Sequence, residues 1–291
     1  MTLLKELFQD QLAGLTVYLP DCSQSRLWGN LDHAIHKTTH LEIVRRQWVQ
    51  HDINSILRFY RNPDEAPRPE EDPAAAIQKY DNIPVETLQY GHLMVKLLMS
   101  GPSLLTIWRG RDATSSLLEL KGKTQPAQAG TETIRGRFWC DNGVCNLMHS
   151  SDDMAELERE LTALQLENWL DEPLEQAPLI TPTPVPNNYI AHSGIITICD
   201  VINRLLWATG LTAAPLPLPT SGDAKETNTQ LTEYLRQTAA DHPHHAPFIN
   251  AFLDGDLIAT TNHFKTLPLS RWEQFVIQCG VINRSEWHGI L

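Results

Sequence analysis

Residues 143–153, Gly-Val-Cys-Asn-Leu-Met-His-Ser-Ser-Asp-Asp, constrain the fold of this chain more than any other stretch. An Asn stands three residues before His149, and Ser-Ser-Asp-Asp follows the histidine at once, the composition of a helix start. From Asp152 to Leu164 the spacing predicts a helix. Met154, Leu157, Leu161 and Leu164 share one face, and Glu156, Glu158, Arg159 and Glu160 the other. His149 therefore stands at a strand-to-helix junction, beside helix N–H groups that favour a bound phosphate. An imidazole there is a candidate phosphoryl acceptor, because it is nucleophilic at neutral pH and its N–P bond is easily broken again. Taken alone, the motif also fits a turn histidine in an ordinary loop.

The surrounding composition narrows the class of protein. With 291 residues, 42% of them hydrophobic, the chain is long enough for two domains with real cores. No apolar run approaches the roughly 18 residues that a membrane span needs, so no membrane partner is expected. The first ten residues are amphipathic with charges of both signs, which does not read as a signal peptide. Cys22, Cys140, Cys145, Cys199 and Cys279 are odd in number and scattered, as reduced thiols in a cytoplasmic protein are. The net charge of −12 argues against a duplex nucleic-acid partner but not against a single nucleotide, which needs only local positive charge.

Along the chain, residues 14–170 alternate short apolar strands with helical stretches, the pattern of an α/β domain. Strands are expected at Leu15–Leu19, Glu42–Val49, Ser103–Trp108 and Thr133–Phe138, and helices at Asn30–Thr38, Asn54–Tyr60 and Val85–Met99. Residues 61–84 are rich in Pro and acid, the composition of an exposed loop. Residues 172–188 carry Pro173, Pro178, Pro182, Pro184 and Pro186 and read as a semi-rigid linker. Beyond it, residues 189–291 read as helical, at Ser193–Thr209, Ala224–Ala239, Ala246–Leu253 and Ser270–Ile282, the last with a capping box at Ser270 and Glu273. Within this part Cys199-Asp-Val-Ile-Asn-Arg-Leu-Leu-Trp207 recurs as Cys279-Gly-Val-Ile-Asn-Arg-Ser-Glu-Trp287, either a duplicated helical unit or a chance likeness. The His242-Pro-His-His245 cluster has no helical i, i+4 pair or nearby acid and reads as a solvated loop.

Three blocks precede the His149 motif: Ser100-Gly-Pro-Ser-Leu-Leu-Thr-Ile-Trp-Arg-Gly110, Gly122-Lys-Thr-Gln-Pro126 and Gly130-Thr-Glu-Thr-Ile-Arg-Gly-Arg-Phe138. In this order and spacing they closely resemble the second half of a nucleoside diphosphate kinase. The first half matches more weakly, with Thr16-Val-Tyr-Leu-Pro-Asp21 resembling the opening strand and its Lys-Pro-Asp end. The resemblance covers about residues 14–165. It implies an α+β fold, a ferredoxin-like antiparallel sheet covered by helices, followed here by a small all-α domain. The domain division expected is residues 1–171, with an insertion at about 61–84, then the linker 172–188 and the helical domain 189–291. The insertion falls between two helices that clamp the nucleotide in the family, as a tolerated surface loop or as a lid.

For chemistry, the resemblance implies transfer of a γ-phosphate from a nucleoside triphosphate to a diphosphate through a phosphohistidine at His149, with Mg²⁺ arriving on the nucleotide. Glu160 matches the acid that hydrogen-bonds the histidine ring. Arg135 and Thr124 match phosphate ligands, Asn146 the sugar contact, Tyr60 an active-site tyrosine and Tyr90 the aromatic on which the base stacks. A homo-oligomer is the family default, and the helical domain is a candidate surface for a protein partner. The departures are as specific as the matches. The family's Lys before Pro-Asp is Leu19, a second arginine falls at Leu118, the Arg before the motif's Asn is Cys145, and the Gly after the His is Ser150. Lys121 and Lys123 flank Gly122 as candidates to supply the missing charge. Loss of the Lys leaves open a second class, a degenerate nucleotide-binding relative that acts through its helical domain.

Overall fold

A computed structural model of the protein describes residues 2–59, 78–174, 193–211, 214–217 and 223–290. In chain order its strands are β1 Ala13–Tyr18, β2 Glu42–Val49, β3 Ser103–Arg109 and β4 Met148–Ser150. The helices of the first half are α1 Leu4–Gln9, α2 Pro20–Gln24, α3 Trp28–Thr39, α4 Ile53–Phe59, α5 Tyr90–Met99, α6 Ala113–Lys121, α7 Ile134–Arg137 and α8 Met154–Ala163. The remainder are α9 Gly194–Ala208, α10 Ala224–Asp241, α11 Ala246–Leu253, α12 Leu257–His263, α13 Arg271–Ile282 and α14 Arg284–His288. None is long and apolar enough to cross a membrane among the described residues. All five cysteines are buried thiols.

The chain forms two compact units that interleave along the sequence. Described residues within Met1–Asn82, Met94–Gly122 and Leu147–Tyr189 make the first, and those within Ile83–Leu93, Lys123–Asn146 and Ile190–Leu291 make the second. Residues 83–93 and 123–146 are thus grouped with the C-terminal helices. Pro173 is held, by a bridge to Leu3, within the first unit, while residues 175–188 of the expected linker lie outside the described residues.

The first unit is built on a four-stranded sheet in the order β2-β3-β1-β4, with every neighbouring pair antiparallel. This is the α+β, ferredoxin-like layout expected from the resemblance. Every position of β1 is buried, so the strand is covered on both faces and tolerates no polar alternation. Polar side chains inside it are paired: the Tyr18 hydroxyl donates to Asp32, and Arg46 bonds the same carboxylate at 2.6 Å. The short edge strand β4 pairs with β1 with His149 opposite Val17, which fixes the histidine in register with the centre of the sheet.

The second unit is helical around a core of Ile198, Cys199, Ile202 and Leu206 from α9, Leu231 and Leu235 from α10, Phe252 from α11, and Ile277 and Val281 from α13. Helices α9 and α13 meet glycine to glycine, since a Cβ on Gly280 would lie 2.8 Å from the Gly194 Cα. The recurring nonapeptides sit at the ends of this pair, with Cys199, Val201, Cys279 and Val281 all in the core. Their polar residues diverge. Asn203 accepts from the Tyr234 hydroxyl and Arg204 pairs with Glu273, whereas Arg284 is buried on Asn228 and Thr232. Trp207 is 82% exposed and Trp287 1%.

Two expected elements are corrected. Thr133–Phe138 is no strand but the short helix α7. The Thr133 hydroxyl accepts the Gly136 N–H and donates to the Gly130 carbonyl, a local cap that outcompetes an extended run of β-branched residues. The single helix expected over Val85–Met99 is a 3₁₀ turn at Val85–Thr87 followed by α5, because Leu88 is extended and His92 takes the Gln89 N–H. The periodicity did not disclose α6, α12 or α14, which are short or carry polar residues on several faces.

Candidate active site

In the first unit the chemistry gathers around His149. The chain enters β4 through Leu147, whose φ of +74° is a left-handed conformation that a bulky residue adopts only under constraint. Two bonds hold it there: its N–H donates to the buried carboxylate of Asp21 at 2.9 Å, and its carbonyl accepts the Leu19 N–H at 2.9 Å. Leu19 and Asp21 thus act on His149 through the backbone two residues before it, a role that the sequence alone did not reveal.

The imidazole of His149 is gripped on one side. Its Nε2 lies 2.5 Å from Oε1 of Glu160, a fully buried carboxylate on α8 whose second oxygen accepts the Ser151 hydroxyl at 2.6 Å. Asp153 caps α8 by accepting the Glu156 N–H, and Glu156 returns to the Asp152 N–H, so the helix start is fixed from both directions. A carboxylate on Nε2 selects the Nε2–H tautomer and puts the ring's lone pair on Nδ1. Phe59 packs edge-on against the ring at 5.5 Å between centroids. Arg159 reaches Glu156 at 3.0 Å and Glu160 at 3.8 Å, adding positive charge behind the carboxylate.

Lys121, one of the two candidate cations, ends on this strand. Its ammonium donates to the Ser150 carbonyl at 3.3 Å and lies 3.5 Å from Asp152, with the side chain only 12% exposed. Leu19, where the resemblance expects a cation, is buried, and Leu118 is half-buried. Tyr60 lies outside the described residues, as do residues 61–77 of the expected insertion.

The second unit holds Tyr90, Thr124, Arg135 and Asn146 in one hydrogen-bonded group. The Gly143 carbonyl accepts both the Tyr90 hydroxyl at 2.7 Å and the Asn146 amide at 2.8 Å. Asn146 also reaches the Thr124 carbonyl, and the buried guanidinium of Arg135 donates to the Asn146 carbonyl at 3.3 Å. Gly143 follows a turn made by Asn142, whose side-chain oxygen accepts from the N–H groups of Val144 and Cys145. Lys123 is exposed in this unit.

Among the described residues one cluster has metal-ligand composition, namely His149, Glu156 and Glu160. Its oxygens are already engaged by His149, Ser151, Arg159 and the Asp152 N–H, an arrangement that suits an oriented imidazole better than a resident cation.

Comparison with known proteins places the chain. Residues 76–167 match the family model for nucleoside diphosphate kinase. A nucleoside diphosphate kinase of Heliobacterium modesticaldum is 43% identical over 68 residues, which is 23% of this chain and 45% of that protein. One from Pyrobaculum aerophilum is 29% identical over 168 residues, 50% of this chain and 91% of that protein. The crystal structure of the NDP kinase from that organism is 25% identical, with a TM-score of 0.42 over 55% of this chain and 98% of that one. The chain spans about half the length of the first relatives it matches. Residues 76–167 are thus similar to the nucleoside diphosphate kinase family.

Proposed function

We propose that this protein is a nucleoside diphosphate kinase-like phosphotransferase that carries the γ-phosphate of a nucleoside triphosphate to a nucleoside diphosphate on His149. The observation that carries this reading is the 2.5 Å contact between Nε2 of His149 and the buried Glu160 carboxylate. It orients the ring, keeps the nucleophilic lone pair on Nδ1, and lies ready to stabilise the positive charge that develops as that nitrogen attacks. Attack on the γ-phosphorus forms the N–P bond and releases the diphosphate. A terminal oxygen of a second diphosphate then attacks the phosphohistidine, and the imidazole leaves with its electron pair. Mg²⁺ belongs to the nucleotide substrate, whose phosphates it neutralises. Tyr90, Thr124, Arg135 and Asn146 are the residues we assign to the nucleotide, and Tyr60 stays with them on the resemblance alone.

Turnover is slower than the family pattern would give, because Leu19 cannot supply a cation to the moving phosphate and Leu118 cannot replace it. Losing one preorganised charge costs on the order of 10²-fold in rate. A second reading, a degenerate relative that binds nucleotide and works through its helices, is favoured by Leu19 and by the exposed Trp207 on α9. One experiment separates the two. The protein is incubated with γ-labelled ATP and Mg²⁺, and a nucleoside diphosphate is then added. Label that forms on the wild type, is absent from His149→Ala and is discharged by the diphosphate supports the kinase. Label that forms and cannot be discharged supports the second reading.

A further inference from the structure

We propose that Asn283 and Trp287, at the C-terminal end of the second unit, are positioning residues for the loop 141–146, and that the C-terminal helices thereby set the affinity for nucleotide. The inference rests on the functional reading above, which assigns Asn146 and Tyr90 to the nucleotide.

Two residues of this loop, Asp141 and Gly143, are tied to the C-terminal helices. The Asp141 carboxylate accepts the N–H groups of Gly194 and Ile195 at 3.0 and 2.8 Å, capping the first turn of α9. The Asp141 carbonyl accepts the indole N–H of Trp287 at 2.6 Å. Asn142 ties back to Asp141 by its amide and turns the chain, and the Gly143 N–H then donates to Oδ1 of Asn283 at 3.2 Å. Asn283 is itself oriented by donating to the Cys279 carbonyl at 2.9 Å. The Gly143 carbonyl, on the other face of that residue, carries the Tyr90 hydroxyl and the Asn146 amide. A bond on the N–H side of Gly143 therefore fixes where the acceptor for two assigned nucleotide residues stands.

Side-chain chemistry separates this from ordinary packing. Asn283 and Trp287 are buried and each has a polar atom directed at loop backbone, where a merely structural helix would present apolar groups. Among the described residues their counterparts in the first nonapeptide, Asn203 and Trp207, make no such contact with the loop: Asn203 serves Tyr234, and Trp207 is exposed.

The test uses the full chain with Asn283→Leu and Trp287→Phe, which delete the acceptor and the donor while keeping bulk, and Ile202→Val as a core control in α9. MgADP binding is measured by calorimetry, and amide exchange at Gly143 and Cys145 by mass spectrometry without nucleotide. Expected are a loss of protection at Gly143 and about tenfold weaker MgADP binding in both loop variants, because the nucleotide must then order the loop itself. The Michaelis constant for the diphosphate rises with it, while labelling of His149 at saturating ATP holds. Ile202→Val lowers the unfolding temperature and leaves MgADP binding unchanged. A wild type that binds MgADP, with both loop variants binding equally well or Ile202→Val losing as much affinity, overturns the proposal alone. A wild type that does not bind MgADP overturns the functional reading and the proposal with it.

Discussion

At the scale of single residues, the two candidate cations differ in what holds them. Lys121 is clamped between the Ser150 carbonyl and Asp152, on the strand that carries His149, whereas Lys123 is exposed. We therefore predict that Lys121→Ala slows labelling of His149 by about 10-fold to 10²-fold and that Lys123→Ala changes it little. Rapid-quench kinetics with labelled ATP checks this, and equal rates in both variants and the wild type would dispose of a compensating charge. A second histidine of the first unit does structural work. His51 is buried against Ser103 and Phe59, its Nδ1 meets no partner among the described residues, and burial pushes it down to about 4 with the Asp52 charge opposing only in part. The folded protein thus holds the ring neutral, while the unfolded chain takes a proton near pH 6.5. The contribution to stability is complete above that pH and falls by about 1.4 kcal/mol per unit as pH drops toward 4. Urea midpoints of His51→Gln should decline less than those of the wild type between pH 6.5 and 4, and parallel declines would contradict the assignment.

At the scale of elements, the tightest junction is the glycine contact between α9 and α13. A methyl on Gly280 would stand 2.8 Å from the Gly194 Cα and 3.2 Å from the Phe252 ring, so the helices must separate or Phe252 must shift. Gly280→Ala should destabilise the protein by about 1–3 kcal/mol, read from urea unfolding. An unchanged midpoint would mean that the helices have slack here. Helices such as α11 and α13 were legible because their apolar positions recur at helical spacing between clear caps, Ser270 and Glu273 among them. Strand β2 was legible to the residue. The element at Thr133–Phe138 was not, because its residues have strand propensity and the decision is made by a hydroxyl bridging Gly130 and Gly136, a contact with no periodicity to betray it. The same limit applies to the candidate site. His149 stood out by its place at a strand-to-helix junction and Glu160 only through the resemblance, while the hold of Asp21 on Leu147 joins residues 126 apart and shows only in three dimensions.

At the scale of the molecule, the contacts make the C-terminal helices part of the same unit as residues 83–93 and 123–146. A fragment ending at residue 188 would leave Asp141 without Gly194, Ile195 and Trp287, and Gly143 without Asn283. Such a fragment should lose cooperative thermal unfolding by circular dichroism, and a sharp native-like transition would show instead that the Pro-rich segment divides independently folding parts. The account as a whole depends on His149 accepting a phosphoryl group. The most direct measurement is mass-spectrometric mapping of the label after rapid mixing with γ-labelled ATP and Mg²⁺. The prediction is an acid-labile phosphate on the peptide containing His149, formed at that residue and lost again on adding a nucleoside diphosphate. Label on any other residue, or label that persists in His149→Gln, would contradict it.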